Sequence, residues 1–514
     1  MSEEETIAAP PSRWDQFAAA SIQKLQKRPA LFLGGCIGVA LLGYALPLLF
    51  PLASLVLVMK IGSALQETGL SALSGQLVNL GLLTFSTTIS VSLWRLRVGE
   101  PAGESVTEAQ VPVLFALVDE LRLAFQAPTI NDIYLAEDSR MRVERIPRSG
   151  YPFFFRHVLV AGLPTLQCLN LDQFKCLLAS CLGELSAVRT DAAGWIGQLA
   201  RTWQQYQVAV EHKWQPAAVL YRVFLSWYAP LLSALAEQLD SGHRLRRDHY
   251  ALEVANDDLV VEMLAGEVIM TRFLQDHYWP TVYRTAEHSA TPNFKVFRSL
   301  EAVFRRRVTN ELTQNWVREA FVGKWYSDER DPGLKARLRE IGHADIHYQP
   351  PQSQSAAITL LGASYQWVID RCDARWADEH REEWRQLHEK SQRQYERLEM
   401  LRGVLRRHGL KGEDAMAYAA LVKRFGTQDE AHEAYRTILD LNPNDARINF
   451  GVGKYFLGCK DARGVKVLEH AMTLDKRYVN PACRLISGFV VNNRLQETVR
   501  NYIDSDKDDR AGAA

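Results

Sequence analysis

Two uncharged stretches dominate the first hundred positions. Ala30 to Met59 and Thr68 to Trp94 hold no Asp, Glu, Lys or Arg. Each exceeds the roughly 20 apolar residues needed to cross a bilayer core. The first is strongly apolar, as in Leu41-Leu42-Gly43-Tyr44-Ala45-Leu46, with Pro47 and Pro51 near its middle. The second is diluted by Ser, Thr, Gln76 and Asn79, which membrane helices tolerate where they pack together. The length of the first run and its lack of a convincing cleavage site predict a retained anchor rather than a leader. A third apolar run, Ala217 to Ala236, carries Arg222 and Pro230; it reads as a buried or membrane-apposed helix, with insertion as the alternative.

Beyond the anchor the periodicity changes. Gly99 to Thr107 reads as a polar linker. Leu114, Leu117, Val118, Leu121 and Phe125 recur at helical spacing, predicting a helix over Val111 to Phe125. Ile130 to Leu135, Arg142 to Ile146 and His157 to Val160 read as short strands, the last two separated by a Pro147–Pro152 turn. Leu171-Asp172 opens a helix whose apolar stripe is Phe174, Leu177, Leu178, Cys181, Leu182 and Leu185. From there to Arg407 the pattern is mostly helical, with a loop near Ser327–Pro351. Trp367, Trp376 and Trp384 recur among charged residues and read as packing positions on a long helix.

The last hundred residues carry a repeat. Gly426, Ala431, Tyr435, Leu441 and Pro443 match one tetratricopeptide pattern, and Gly451, Gly458, Gly464, Leu468, Ala471 and Leu474 match a second with one extra residue. Ala431 to Gly464 approximates the period of about 34 residues typical of that repeat. Val479 to Ile503 reads as a capping helix pair, and a generic helical hairpin is the alternative. Such arrays present a surface to a peptide or protein. The fold class is therefore α+β and mostly helical. It comprises a tail over 1–28, a two-helix membrane anchor over 29–97, a central domain with a small sheet over 98–407 and helical repeats over 408–514.

Charge changes the picture in two ways. In 514 residues, Lys+Arg and Asp+Glu each total 60, so no basic excess supports a nucleic-acid partner. Arg305-Arg306-Arg307 reads as a solvated helix face. Lys24, Lys27 and Arg28 precede the first span, Arg95 and Arg97 follow the second, and only Lys60 and Glu67 lie between. The positive-inside rule then puts both termini and the main domain in the cytoplasm. The seven scattered cysteines show no zinc-ribbon or redox spacing, which fits a reducing compartment.

The segment Leu177-Leu178-Ala179-Ser180-Cys181-Leu182-Gly183-Glu184-Leu185-Ser186 resembles a zinc-protease helix without its His-Glu-Leu-Gly-His chemistry. Around it, Pro147-Arg148-Ser149-Gly150, Val160-Ala161-Gly162-Leu163-Pro164, Gly194-Trp195-Ile196, Arg201-Thr202-Trp203, Arg246-Arg247-Asp248-His249-Tyr250 and Trp279-Pro280-Thr281-Val282-Tyr283 are similar to landmarks of the membrane-bound HtpX-type zinc peptidases. The resemblance covers nearly all of the chain. It implies a zincin-like central domain in a bacterial inner membrane protein.

In that family two His at i and i+4 on one helix face, with a Glu from a second helix, hold zinc, and a Glu between the His residues takes a proton from bound water. Carried over by position, Ser180 stands for the first His, Cys181 for the catalytic Glu, Glu184 for the second His and His249 for the Glu ligand. All four differ. Arg330-Asp331-Pro332 stands where the family often has Thr-His-Pro.

Three readings follow. The favoured one is a pseudopeptidase without catalytic residues or cofactor, acting through protein or peptide binding in its remnant cleft and repeats. There Glu184 and His249 would pair, joining two helices without zinc, so that His249→Leu destabilises the fold. The second is a membrane metalloendopeptidase with a metal site rebuilt from Cys181, Glu184 and His249. The third is a Cys181–His249 nucleophile pair, against an apolar core thiol. His343 and His347 lack a nearby Glu and read as loop residues.

Overall fold

The structure is a computed structural model that describes residues 29–68, 76–187, 191–240, 247–323, 325, 332–343 and 354–490. The tail over 1–28 and the chain beyond 490 lie outside the described residues, as do His347, Arg330 and Asp331. The chain is mostly helical with one small mixed sheet. It divides into two compact units. One runs up to Val282 and resumes over Asn293–His380; the other takes Tyr283–Pro292 and the chain from Arg381 onward.

The first unit opens with α1 (Pro29–Thr68) and α2 (Leu77–Arg95). α1 is longer than the first uncharged stretch and runs through Lys60. Its 40 residues extend about 60 Å, roughly twice a bilayer core. Hydroxyls set the register between the two helices: Ser54 Oγ donates to Ser86 Oγ at 2.8 Å, and Ser86 Oγ donates to the Phe50 carbonyl at 2.6 Å. α2 is thereby level with the C-terminal half of α1.

The sheet follows. β1 (Glu104–Val106) and α3 (Pro112–Ala124) precede β2 (Asp132–Ala136), β3 (Met141–Pro147) and β4 (Phe155–Gly162). The sheet order is β1-β2-β4-β3, with β2 and β4 parallel and the other pairs antiparallel. β1 lies inside the stretch read as a linker. Glu-Ser-Val has no alternating apolar pattern, and its pairing with β2 makes it a strand. The β2 and β4 interior is almost continuously buried, as expected for paired parallel strands covered on both faces. α3 buries Leu114, Leu117, Val118 and Leu121, the periodic positions.

A short α4 (Leu163–Cys168) leads into α5 (Leu171–Ala187). The stripe of α5 is buried, and so are Cys176, Ala179, Ser180 and Gly183. The helix is therefore enclosed nearly all round rather than packed on one face. α6 (Ala192–Val210) and α7 (Pro216–Asp240) form a helix pair with α1 and α2. Trp203 of α6 sits against Tyr206, Tyr221, Phe224 and Tyr228 at ring distances of 5.4–6.2 Å. Tyr228 Oη donates to the Val39 and Ala40 carbonyls. α7 resembles α1 and α2 in one respect: by length and composition all three are long and apolar enough to cross a membrane.

The Pro147–Phe154 turn joins sheet and helices. Gly150 N donates to the Leu93 carbonyl at 2.8 Å; Tyr206 Oη donates to the Ser149 carbonyl and Tyr221 Oη to the Gly150 carbonyl.

The unit continues through α8 (His249–Leu252), α9 (Asp257–Arg272), a π turn (Phe273–Tyr278), α10 (Trp279–Arg284), α11 (Val296–Arg307), α12 (Asn310–Phe321), α13 (Leu334–Glu340), α14 (Ala356–Leu361) and α15 (Tyr365–Glu379). α13 stands within the expected Ser327–Pro351 loop, whose other parts lie largely outside the described residues. Arg305, Arg306 and Arg307 are exposed at the end of α11. Trp376 is buried and stacks on Trp279 at 6.1 Å, whereas Trp367 is exposed.

The second unit contains α16 (Arg381–His408), α17 (Gly412–Phe425), α18 (Gln428–Leu441), α19 (Ala446–Gly458), α20 (Arg463–Leu474) and a helix over 479–490. Trp384 lies on α16, so the tryptophans occupy two helices rather than one long one. This unit takes the chain from Arg381, so α16 groups with the helices that follow it, earlier than the boundary read at 407/408. α18 opens on a capping box between Thr427 and Glu430. α19 and α20 touch through glycines. A Cβ on Gly464 would stand 2.7 Å from the Gly453 carbonyl oxygen and 2.9 Å from Leu457 N. Backbone cannot yield as a side chain does, so Gly464→Ala is expected to lower stability by about 1–3 kcal/mol. Thermal melting checks this, with Gly458→Ala, which meets nothing within 4 Å, as the mild control.

Candidate functional site

The four positions singled out lie around the junction of α5 and the Arg247–Leu252 segment. They do not converge. Ser180 is fully buried and its hydroxyl donates back to the Cys176 carbonyl at 3.1 Å, within its own helix. Cys181 is buried on an adjacent face. Its Sγ approaches the Met141 carbonyl at 3.3 Å and accepts from Arg247 Nη2 at 2.7 Å. Burial pushes the Cys181 thiol up to about 11, against the opposing pull of the Arg247 charge. Burial of this kind favours the thiol over the thiolate that nucleophilic chemistry needs.

Glu184 is partly exposed. Its carboxylate stands 3.8 Å from Arg247 Nε and 4.0 Å from Arg201 Nη2. His249 is 46% exposed and faces Glu340 at 3.7 Å. The expected Glu184–His249 pair is thus replaced, among the described residues, by separate partners. The reason is local: α8 begins at His249, where the chain turns its neighbours inward and the imidazole outward. Arg247 reaches Cys181, Asp248 is 1% exposed, and Tyr250 covers Gly183. A Cβ on Gly183 would fall 2.2 Å from the Tyr250 ring, so the two segments are as close as glycine allows.

The sequence reading missed the residues that organise this junction. Arg337 of α13 grips Asp248 with two bonds of 2.8 Å, Nε to Oδ2 and Nη2 to Oδ1, and its Nη2 also reaches Glu267 of α9 at 3.0 Å. Two guanidinium groups, Arg247 and Arg337, therefore sit among Cys181, Glu184, Asp248 and Glu267. Asp248 and Arg337 are 89 residues apart, and no local spacing signals such a pair. The only sequence hint was Asp248 itself, an acid between Arg247 and His249.

The resemblance implies zinc, and the donors can be tested against it. Zinc needs thiolate, imidazole or carboxylate groups converging on one point. Here the thiol is protonated and bonded to a guanidinium, the carboxylate faces two guanidinium groups, and the imidazole faces another acid. The fixed charge of Arg247 repels a cation from the remaining donors. These residues do not fit zinc. Among the described residues, no three His, Cys, Asp or Glu side chains are grouped to hold a metal ion. His343 lies 3.6 Å from Asp257 instead.

No family model, curated protein or solved structure matches the chain.

Removing one partner of a buried ion pair strands the other charge, which costs about 3–5 kcal/mol. Asp248→Ala is expected to lose stability on that scale in chemical denaturation. His249→Leu, at an exposed weak ion pair, is expected to change it by less than about 1 kcal/mol. The reverse order would show that His249, not Asp248, ties the junction.

Proposed function

We propose that the protein is a membrane-anchored, peptidase-like scaffold that has lost zinc proteolysis and works by binding a protein or peptide. One observation carries this reading: the guanidinium of Arg247 contacts Cys181 and faces Glu184, where a peptidase of this kind would need a proton acceptor and a divalent ion. A thiol held at about 11 cannot serve as general base near neutral pH. Ser180 spends its hydroxyl on its own helix. The central domain is then a zincin-like fold kept for its cleft, without cofactor. The competing reading, a metalloendopeptidase with a rebuilt site, requires Cys181, Glu184 and His249 to leave their present partners together.

The binding role is assigned to the remnant cleft and to the helices from α17 onward, read as tetratricopeptide-like repeats. Their glycine-mediated crossing at Gly453 and Gly464 and their regular helix pairs support that assignment. The proposal gives the protein no nucleic-acid partner. The anchor is placed in a bacterial inner membrane with both termini and the main domain cytoplasmic, on the basic flanks at Lys24, Lys27, Arg28, Arg95 and Arg97.

The test is metal and turnover on one sample. Full-length protein purified gently in detergent is expected to carry far less than one equivalent of zinc. It should leave casein intact and melt at the same temperature with and without chelator. Stoichiometric zinc together with chelator-sensitive cleavage overturns the reading.

A further inference from the structure

A groove of about 640 Å³ runs along α2, lined by Leu83, Thr84, Thr88, Val91 and Arg95 and closed at one end by Gln215 and Pro216. Thr87 also lines it, and three of the groove's four hydroxyls are engaged. Thr84 Oγ1 donates to the Leu80 carbonyl, Thr88 Oγ1 to the Thr84 carbonyl, and Ser92 Oγ accepts from Ala217 N. Thr84 and Thr88 thus spend their hydroxyls on their own helix, and the groove is more apolar than polar. Its one charged lining residue differs: Arg95 is exposed and, among the described residues, makes no hydrogen bond or ion pair. No acidic residue occurs in α2. Beside the closed end, Trp214 is 85% exposed with Arg222 at 5.6 Å from its ring, and Trp94 on the last turn of α2 is 56% exposed. Exposed tryptophans of this kind settle at headgroup depth.

We infer that this groove binds one anionic phospholipid, its acyl chain along Leu83 to Val91 and its phosphate on Arg95. A channel with an apolar body and a single unpartnered cation at one end matches an amphiphile with a single anionic head. The site lies on a helix apolar enough to cross a membrane, so on the proposed placement lipid reaches it without leaving the bilayer. The inference rests on the membrane placement proposed above and is independent of the fate of the peptidase-like junction.

The experiment uses the full chain in nanodiscs of phosphatidylcholine containing a minority of phosphatidylglycerol, with retained lipid counted by native mass spectrometry on release. Recovery of the chain in membranes rather than soluble fractions checks the placement separately. Wild type is expected to retain phosphatidylglycerol over phosphatidylcholine. Arg95→Gln should reduce that retention by about fivefold or more, the scale of one lost charge-assisted contact. Val91→Trp, which fills the groove, should reduce retention of both lipids. Melting temperatures identify any variant that fails to fold. Retention without headgroup preference, or preference unchanged in both variants, overturns the inference. So does a disulfide between copies formed through Thr88→Cys in the same nanodiscs, which would identify a second chain as the occupant.

Discussion

A carboxylate that is 1% exposed must find a cation, and Asp248 finds Arg337. That constraint sets the centre of the first unit. Once Asp248 is held inward against α13 and α9, its neighbours have little choice. Arg247 is delivered to Cys181, His249 is turned to the surface, and Tyr250 drops onto Gly183. Of four consecutive residues, three thus turn inward and only His249 faces out. The outcome is a joint between α5, α9 and α13 whose cohesion comes from guanidinium–carboxylate geometry. A guanidinium stays charged through any ordinary pH and cannot dissociate as a metal can. The joint is therefore permanent, and it does not depend on the supply of a cation.

Much of the fold was legible because it is written in local periodicity. The uncharged stretches became α1 and α2, the stripe of Leu114 to Leu121 became α3, and Phe174 to Leu185 became the buried face of α5. β1 was not legible, since Glu104-Ser105-Val106 is a strand only through its ladder with β2. The junction was half legible. Position along the helix marked Ser180, Cys181 and Glu184, but likeness to metal-ligand positions was taken to imply a shared direction. Direction is set by partners, and those partners, Arg247 and Arg337, come from segments 66 and 89 residues away from the groups they bind. Glu184 and His249 do not pair with each other, because the bidentate Arg337–Asp248 pair fixes the backbone beside His249.

A second set of ties joins the sheet to the apolar helices. The Ser149-Gly150 carbonyls accept phenolic hydroxyls from α6 and α7, and Gly150 N reaches the last turn of α2. A Cβ at Gly150 would press on Leu93 O at 2.6 Å. These residues tie the sheet to the apolar helices, so their identity answers to packing and not to catalysis.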